Sequence, residues 1–153
     1  GLDYYSGSKS DIDANKSTTF NRLYGATHSF NGSMEYFATL PTQGLKDFYA
    51  GLNSKIGKKF AIDVTGHWFY FDKTFVYKKV ETSNDLGSEL DVTLSYTVSR
   101  DIAFQAGYSA YFNTGTTDKY LKQEGVEVAQ PQWAFLMVTI KPQLYKTPPV
   151  ADK

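Results

Sequence analysis

The sequence has no cysteine and only two histidines, His28 and His67. Without thiols it can form neither disulfide bonds nor thiolate metal sites, and two separate histidines give no recognisable metal cluster. Basic and acidic residues balance at 16 each, so the basic excess typical of a nucleic-acid surface is also missing. We therefore predict no metal, no cofactor and no nucleic-acid partner.

Long apolar runs are missing as well. No stretch approaches 18 consecutive apolar residues, as a transmembrane helix requires, and no segment has a convincing helical period. A charged-then-apolar signal segment is absent, and residues 1–5 resemble the end of a strand already under way, so we expect a piece of a larger protein. Aromatic residues are abundant at 16%, which favours β-strands.

Apolar and polar residues alternate along most of the predicted hairpin at residues 86–113. The alternation runs through two arms, 90–98 and 102–112, which flank a reversal at Arg100-Asp101. A period of two predicts an antiparallel pair with one apolar and one polar face. Each arm has about 11 residues, longer than most soluble strands and close to the length of a tilted strand that crosses a bilayer.

The same alternation predicts further strands and their connections. These are strands at 44–56, 60–70 and 132–145, tight turns at Gly57-Lys58 and Arg100-Asp101, and long loops at 73–86 and 114–131. Because antiparallel strands alternate in direction, all tight turns fall on one rim and all long loops on the other. This asymmetry is typical of outer-membrane β-barrels.

Residues 7–43 are interpreted as one long excursion from the long-loop rim. If 33–39 were a spanning strand, the turn at Gly57 would fall on the wrong rim. Residues 34–37 are therefore predicted to be a short loop strand in an excursion that can fold into the lumen. Residues 1–145 form the predicted barrel segment, and 146–153 form a C-terminal tail.

The polar faces of the predicted strands supply the candidate site residues. The lumen-lining candidates are Asp47, Asp63, His67, Glu89, Asp91 and Gln105. The candidates for a constriction within the excursion are Tyr24, His28, Glu35 and Tyr36. No nucleophile with an oriented base is recognisable, so we predict no catalytic residue and no enzymatic activity.

The last predicted strand is apolar on both faces. Trp133, Phe135 and Met137 alternate with Ala134, Leu136, Val138 and Ile140. Such a strand is expected to be buried on both sides, and residues 7–43 are the nearest candidate to cover it from inside.

Aromatic residues fall near both predicted rims. Trp68, Tyr70, Phe112 and Trp133 lie near the long loops, and Phe60, Phe104 and Tyr145 near the tight turns. Two such bands are typical of membrane-interface girdles. A soluble barrel of the lipocalin kind is the alternative, but it predicts Lys and Glu on the polar face, which instead carries mostly Thr, Ser, Gly, Gln and Asn.

Residues 20–37, FNRLYGATHSFNGSMEYF, resemble the LYG-x-x-H-x-F-x-G-x-M-D/E-Y-F segment of alginate-export-type outer-membrane proteins of the Bacteroidetes kind. Further matches follow in order at 44–49, 86–94, 107–109 and 133–142, so the resemblance covers nearly the whole chain. It corresponds to the C-terminal part of a longer protein. The resemblance implies a monomeric, many-stranded barrel that conducts an anionic polysaccharide passively, with the remaining strands supplied by another segment or chain.

The predicted lumen face departs from this family in its charge. A conduit for a polyuronate needs Arg and Lys toward the lumen, whereas Asp47, Asp63, Glu89 and Asp91 lie there.

The strand and loop patterns together predict an all-β, antiparallel transmembrane barrel, or the C-terminal part of one, in the outer membrane. Its predicted function is passive passage of small polar or saccharide solutes, with polysaccharide export as one form. A structural or partner-binding barrel with a closed lumen and a soluble ligand-binding barrel remain open as alternatives.

Overall fold

The computed structural model describes residues 1–9, 17–22, 30–121, 125 and 130–145. Tyr24 and His28, two of the predicted constriction residues, and the predicted tail at 146–153 lie outside the described residues. The described chain is mostly antiparallel β-sheet with one short helix, which confirms the all-β prediction.

Eight strands and one helix make up the described structure. They are β1 (Leu2–Tyr5), β2 (Leu45–Ile56), β3 (Phe60–Phe71), β4 (Val76–Tyr77), β5 (Val80–Glu81), β6 (Asp85–Thr97), β7 (Ile102–Phe112), α1 (Gly115–Tyr120) and β8 (Gln132–Ile140). Six strands form one sheet in the order β1-β2-β3-β6-β7-β8, and β4 and β5 form a separate hairpin. The large sheet is open, with β1 and β8 at its edges.

Tight connections join β2 to β3 and β6 to β7, where the sequence predicts them. Gly57 begins the first connection with a φ of +66°, a left-handed conformation that glycine adopts without strain. The predicted loop at 73–86 contains the β4–β5 hairpin, and β6 already begins at Asp85. β8 ends at Ile140, which pairs with Ile102, the first residue of β7, and the next N–H, that of Lys141, donates to the Asp101 carbonyl in the turn at 2.8 Å.

Helix α1 is missing from the sequence prediction because six residues are too few to show a helical period. Its start is nevertheless well defined. Thr114 is the N-cap, and its side chain and that of Thr117 cap each other's backbone N–H groups. The Thr114 hydroxyl also donates to the Asp85 carbonyl, which fixes the helix to the start of β6.

The register divides the six-stranded sheet into two faces. We call apolar face the side that carries Phe48, Leu52, Ile56, Phe60, Val64, Trp68, Leu90, Leu94, Tyr108, Phe112, Leu136 and Val138. These side chains share rows such as Leu52, Val64, Val92, Tyr108 and Ala134. From the Phe48–Trp68 row to the tight turns, no residue on this face is charged. Most of its large side chains are exposed.

The opposite side, the polar face, contains the buried core at its long-loop end. The core consists of Phe37, Leu45, Phe69, Phe71, Leu86 and Tyr111. We call residues 30–44 the covering segment, because they lie across this end of the face. Within it, the Phe37 ring packs at 4.7 Å from Phe69 and the Tyr36 ring at 4.7 Å from Tyr111.

The predicted loop strand at 34–37 is wrong, because the covering segment consists of turns. Asn31, Gly32 and Glu35 have φ values of +65°, +84° and +59°. These left-handed conformations are incompatible with an extended strand. They coil the segment so that its backbone reaches the polar face.

The predicted burial of the last strand on both sides is also wrong. Leu136 is 74% exposed on the apolar face, and Trp133 is 45% exposed on the other side. The covering segment packs on β3, β6 and β7 instead, so β8 stays at the edge of the sheet with both faces open.

Candidate functional site

All six predicted lumen-lining residues lie on the polar face. Four of them, which we call the acidic cluster, lie together: Asp47, His67, Glu89 and Asp91. Asp47, His67 and Glu89 come together near the long-loop end, and Asp91 follows two residues after Glu89 on β6. Three antiparallel strands supply these side chains at neighbouring register positions, which is why residues far apart in sequence meet. Asp47 and Glu89 are almost completely buried, at 0% and 2% exposure.

His67 joins two of the carboxylates. Its Nδ1 lies 2.9 and 3.0 Å from the two Asp47 oxygens, and its Nε2 lies 3.8 Å from Oδ2 of Asp91. The ring stacks on Phe69 at an interplanar angle of 6°. Because a buried carboxylate is costly without a donor, the contact with Nδ1 is what allows Asp47 to be fully buried.

Two other candidates lie outside this cluster. Asp63 accepts hydrogen bonds from Asn53 and Thr65, at 3.2 and 3.3 Å. Gln105 lies nearer the tight turns, where its Nε2 donates to Ser95 at 3.2 Å. Both residues lie on the polar face, but Asp63 is close to the cluster and Gln105 is farther from it, near the tight turns.

The covering segment is fastened to the acidic cluster by its backbone. The Ser33 N–H donates to Oδ2 of Asp91 at 3.2 Å, and the Met34 N–H donates to Oε1 of Glu89 at 2.8 Å. Gly32 lies so close to Glu89 that an added Cβ would stand 2.7 Å from its carboxylate. The turn at Asn31 and Gly32 thus presents successive N–H groups to two acids.

Two of the predicted constriction residues, Glu35 and Tyr36, lie at the other margin of the covering segment. Together with Gln132 and Trp133 they line a cleft of about 380 Å³. Burial and the nearby charge of Glu89 raise the pKa of the Tyr36 hydroxyl. Glu35 and Tyr36 therefore line a different cleft from Asp63, His67 and Asp91, although Tyr36 lies close to Glu89.

A second cleft, of about 440 Å³, opens between the covering segment and the middle of the polar face. We call it the Asn31 cleft. It is lined by Asp3, Phe30, Asn31, Gly32, Ser33, Tyr49, Asp63, Thr65, His67, Asp91 and Thr93. Asp63, His67 and Asp91 were predicted from the sequence, whereas Asp3, Asn31 and Tyr49 were not.

Polar atoms at the Asn31 cleft lack partners. Asn31 is 1% exposed, and among the described residues neither its carboxamide oxygen nor its nitrogen has a hydrogen-bond partner. Oδ1 of Asp91, at the cleft, and Oε2 of Glu89, next to it, are likewise buried without a partner among the described residues. The Asn31-Gly32 dipeptide is a turn signal in the sequence, but no sequence pattern reveals which way the turn faces.

A larger cavity lies elsewhere in the described structure. It measures about 620 Å³ and lies between the β4–β5 hairpin and helix α1. None of the predicted site residues lines it, and its charged lining residues Lys78, Lys119, Glu81 and Asp85 are of mixed sign. The Asn31 cleft has the smaller volume, but three of the predicted site residues line it, so it is the candidate site.

Metal ligation and helical membrane spans find no support within the described ranges. No group of three or more His, Cys, Asp or Glu side chains there is arranged to hold a metal ion. No helix in that part of the chain is long and apolar enough to span a membrane.

Comparisons of the chain with protein-family models, with curated proteins and with solved structures found no match. The similarity to alginate-export-type proteins therefore stays a prediction from the sequence alone.

Proposed function

We propose that this chain is a segment of an outer-membrane β-barrel through which small polar or saccharide solutes pass passively. The observation that carries the proposal is the division of the six-stranded sheet into two chemically different faces. One face is apolar, exposed and uncharged over most of its height. The other carries Asp3, Asp47, Asp63, Glu89 and Asp91.

Exposure of the apolar face is what favours a lipid environment. Soluble monomers rarely expose contiguous apolar patches larger than a few hundred Å², whereas this face runs across six strands. Strands β2, β3, β6 and β7 have 12, 12, 13 and 11 residues. A transmembrane strand needs about 9–11, so each is long enough to cross the hydrocarbon core.

The edges of the sheet set a further requirement. In a bilayer the unpaired N–H and C=O groups of β1 and β8 would lack water as a partner, so barrels in membranes are closed. The proposal therefore includes further strands, from another segment or chain, that pair with β1 and β8. Outer-membrane lipid would contact the apolar face.

Passage would then follow the polar face without any chemical step. The covering segment would limit the size of the solute, and the carboxylates would set the electrostatic preference of the path.

A barrel with a closed lumen, which serves as a scaffold or binds a partner, is the second candidate. The observation that favours it is the anchoring of the covering segment to Asp91 and Glu89. Swelling of protein-loaded liposomes in glucose separates the two. Swelling is expected from a channel, and its absence in correctly inserted protein supports the closed barrel.

The chain's two tryptophans offer a direct test of membrane insertion. Trp68 lies on the apolar face at 46% exposure, and Trp133 lies on the opposite side at 45%. The variants Trp133→Phe and Trp68→Phe each leave one reporter with a matched exposure. In vesicles of brominated phosphatidylcholine, we expect strong quenching when Trp68 remains and weak quenching when Trp133 remains.

The outcome of this experiment separates a barrel inserted in the membrane from a soluble barrel. Equal quenching of both reporters would contradict the assignment of faces. No quenching of either would contradict membrane insertion and support a soluble barrel. Heat-modifiable migration in gel electrophoresis gives an independent check, because membrane barrels resist unfolding in detergent until heated.

A further inference from the structure

We propose that the Asn31 cleft binds a small hydroxylated ammonium ion, an amino sugar or amino polyol, rather than an anionic saccharide. The proposal rests on the proposed function for its setting, since the cleft would open on the lumen of the barrel. The binding itself depends only on residues of the described chain.

The charge of the cleft favours a cation. Asp3, Asp63 and Asp91 line it, and none of its described lining residues is Lys or Arg. Asp91 is only 8% exposed, and its Oδ2 already accepts the Ser33 N–H, while its Oδ1 has no partner in the described part of the chain. A buried carboxylate oxygen without a donor is unfavourable, and an ammonium group would supply the missing charged donor.

Asn31 gives independent evidence for a ligand, and for one with hydroxyl groups. Its carboxamide is almost completely buried at the cleft, with both polar atoms unpartnered among the described residues. The oxygen needs a donor and the NH₂ group needs an acceptor. A bare metal ion would satisfy only the oxygen, whereas a molecule with hydroxyl groups beside its ammonium satisfies both.

The remaining walls fit a molecule of sugar size. A volume of about 440 Å³ lies within the range of small-ligand sites, about 300–1,000 Å³. Thr65 and Thr93 add hydroxyl groups, and Tyr49 contributes an aromatic ring. His67 is held between Asp47 and Asp91. Oδ2 of Asp91 therefore faces His67 and Ser33, and Oδ1 has no partner among the described residues.

Calorimetric titration of the complete barrel in detergent micelles, including the strands that pair with β1 and β8, tests the proposal. The probes are glucosamine, glucose and glucuronate, which share one ring but differ in charge, at about pH 6, where an alkyl amine is protonated. We expect glucosamine to bind at least about tenfold more tightly than glucose, the size of one charge-assisted hydrogen bond. Glucuronate should bind more weakly than both.

Two variants and one control tie the preference to the cleft. Asp91→Asn keeps an acceptor for Ser33 but should lower glucosamine affinity about tenfold and leave glucose nearly unchanged. Asn31→Gly keeps the left-handed turn, removes the carboxamide, and should weaken both sugars. Asp101→Asn, in the exposed turn after β6, makes the same charge change away from the cleft and should alter neither.

Several results would overturn the inference. These are equal binding of glucosamine and glucose, tighter binding of glucuronate, or full affinity in both Asp91→Asn and Asn31→Gly. Failure of this proposal is distinguishable from failure of the proposed function. Glucose-driven swelling and Trp68 quenching report on the channel, whereas the glucosamine preference reports on the cleft, and either can hold without the other.

Discussion

The backbone N–H of Met34 donates to Oε1 of Glu89 at 2.8 Å, although 55 positions separate the two residues in sequence. Glu89 lies near the start of a long strand and is 2% exposed, so this bond ties a turn of the covering segment to the wall of the sheet. The Ser33–Asp91 bond repeats the arrangement one residue earlier. The covering segment is therefore held by hydrogen bonds to carboxylates as well as by aromatic packing.

Loss of the Glu89 carboxylate should release this end of the covering segment. Leaving a buried N–H donor without its acceptor costs about 1–3 kcal/mol. Glu89→Ala should therefore speed amide hydrogen exchange at Met34 by about tenfold to a hundredfold. Glu89→Gln keeps an acceptor oxygen for the Met34 N–H, so it should exchange close to the wild-type rate. Equal rates in all three proteins would contradict the anchoring role.

A side chain at position 32 should also displace the covering segment from the polar face. Gly32 has a φ of +84°, and an added Cβ would stand 2.7 Å from the Glu89 carboxylate. Left-handed strain and overpacking together predict a loss of about 2–4 kcal/mol for Gly32→Ala.

Gly57→Ala is the matched control for that substitution. Gly57 has a φ of +66° with no atom within 4 Å of an added Cβ, so only the strain of about 1–2 kcal/mol applies. Thermal unfolding followed by circular dichroism compares the two. If the unfolding midpoint of Gly32→Ala is as high as that of Gly57→Ala, Gly32 does not pack closely against the Glu89 carboxylate.

Asp72 should make stability depend on pH. Burial alone would raise the pKa of this carboxyl, but hydrogen bonds from Lys73, from the Gly7 N–H and from Lys46 outweigh burial and lower it. A carboxyl with a lowered folded pKa stabilises the protein above its unfolded pKa, and this contribution is lost as the pH falls through the folded value. Asp72→Asn should therefore unfold at a lower temperature than wild type at pH 7.

The difference between wild type and Asp72→Asn should shrink once the pH falls below about 4, the ordinary range of an Asp carboxyl. Melting curves between neutral and acidic pH measure it. Asp101→Asn removes an acid whose ion pair with Arg100 is mostly exposed, so its midpoint should stay near wild type. A constant gap between Asp72→Asn and wild type at every pH would show that the lost contribution is not electrostatic.

Adjacent residues of β6 should respond oppositely to a lysine. Leu94 lies on the apolar face and Ser95 on the polar face. A lysine facing lipid near the bilayer midplane costs about 2–4 kcal/mol. Leu94→Lys should therefore lower the folded yield in phosphatidylcholine vesicles, whereas Ser95→Lys should not. Because Leu94 is 51% exposed in the chain itself, equal yields would be the result for a protein that stays in water.

The strands and their faces could be read from the sequence because period-two alternation is a local property. The alternation around Leu90 and Phe104 predicted both the antiparallel pairing and the shared face, and Gly57 predicted the tight turn. Asp47, His67, Glu89 and Asp91 were placed on one face for the same reason.

The features that the sequence did not predict depend on contacts between distant segments. The turn conformation of residues 31–35 is fixed by Glu89 and Asp91, which lie on another strand, so propensity within the segment was no guide. The exposure of Trp133 depends on where the covering segment packs. The burial of the Asn31 carboxamide could not be predicted, because an Asn-Gly turn is ordinarily exposed.

The order of strands in the sheet also bears on how the protein folds. Every neighbouring pair from β2 to β8 follows the order of the strands along the chain, apart from the small β4–β5 hairpin between β3 and β6. β1 pairs with β2 only after residues 6–44 return, which is the longest connection between neighbouring strands of the sheet. Because long loops close at a greater entropic cost than short ones, we expect hairpins to assemble first and the β1 contact last. The sheet from β2 to β8 would then form before the covering segment packs across its polar face.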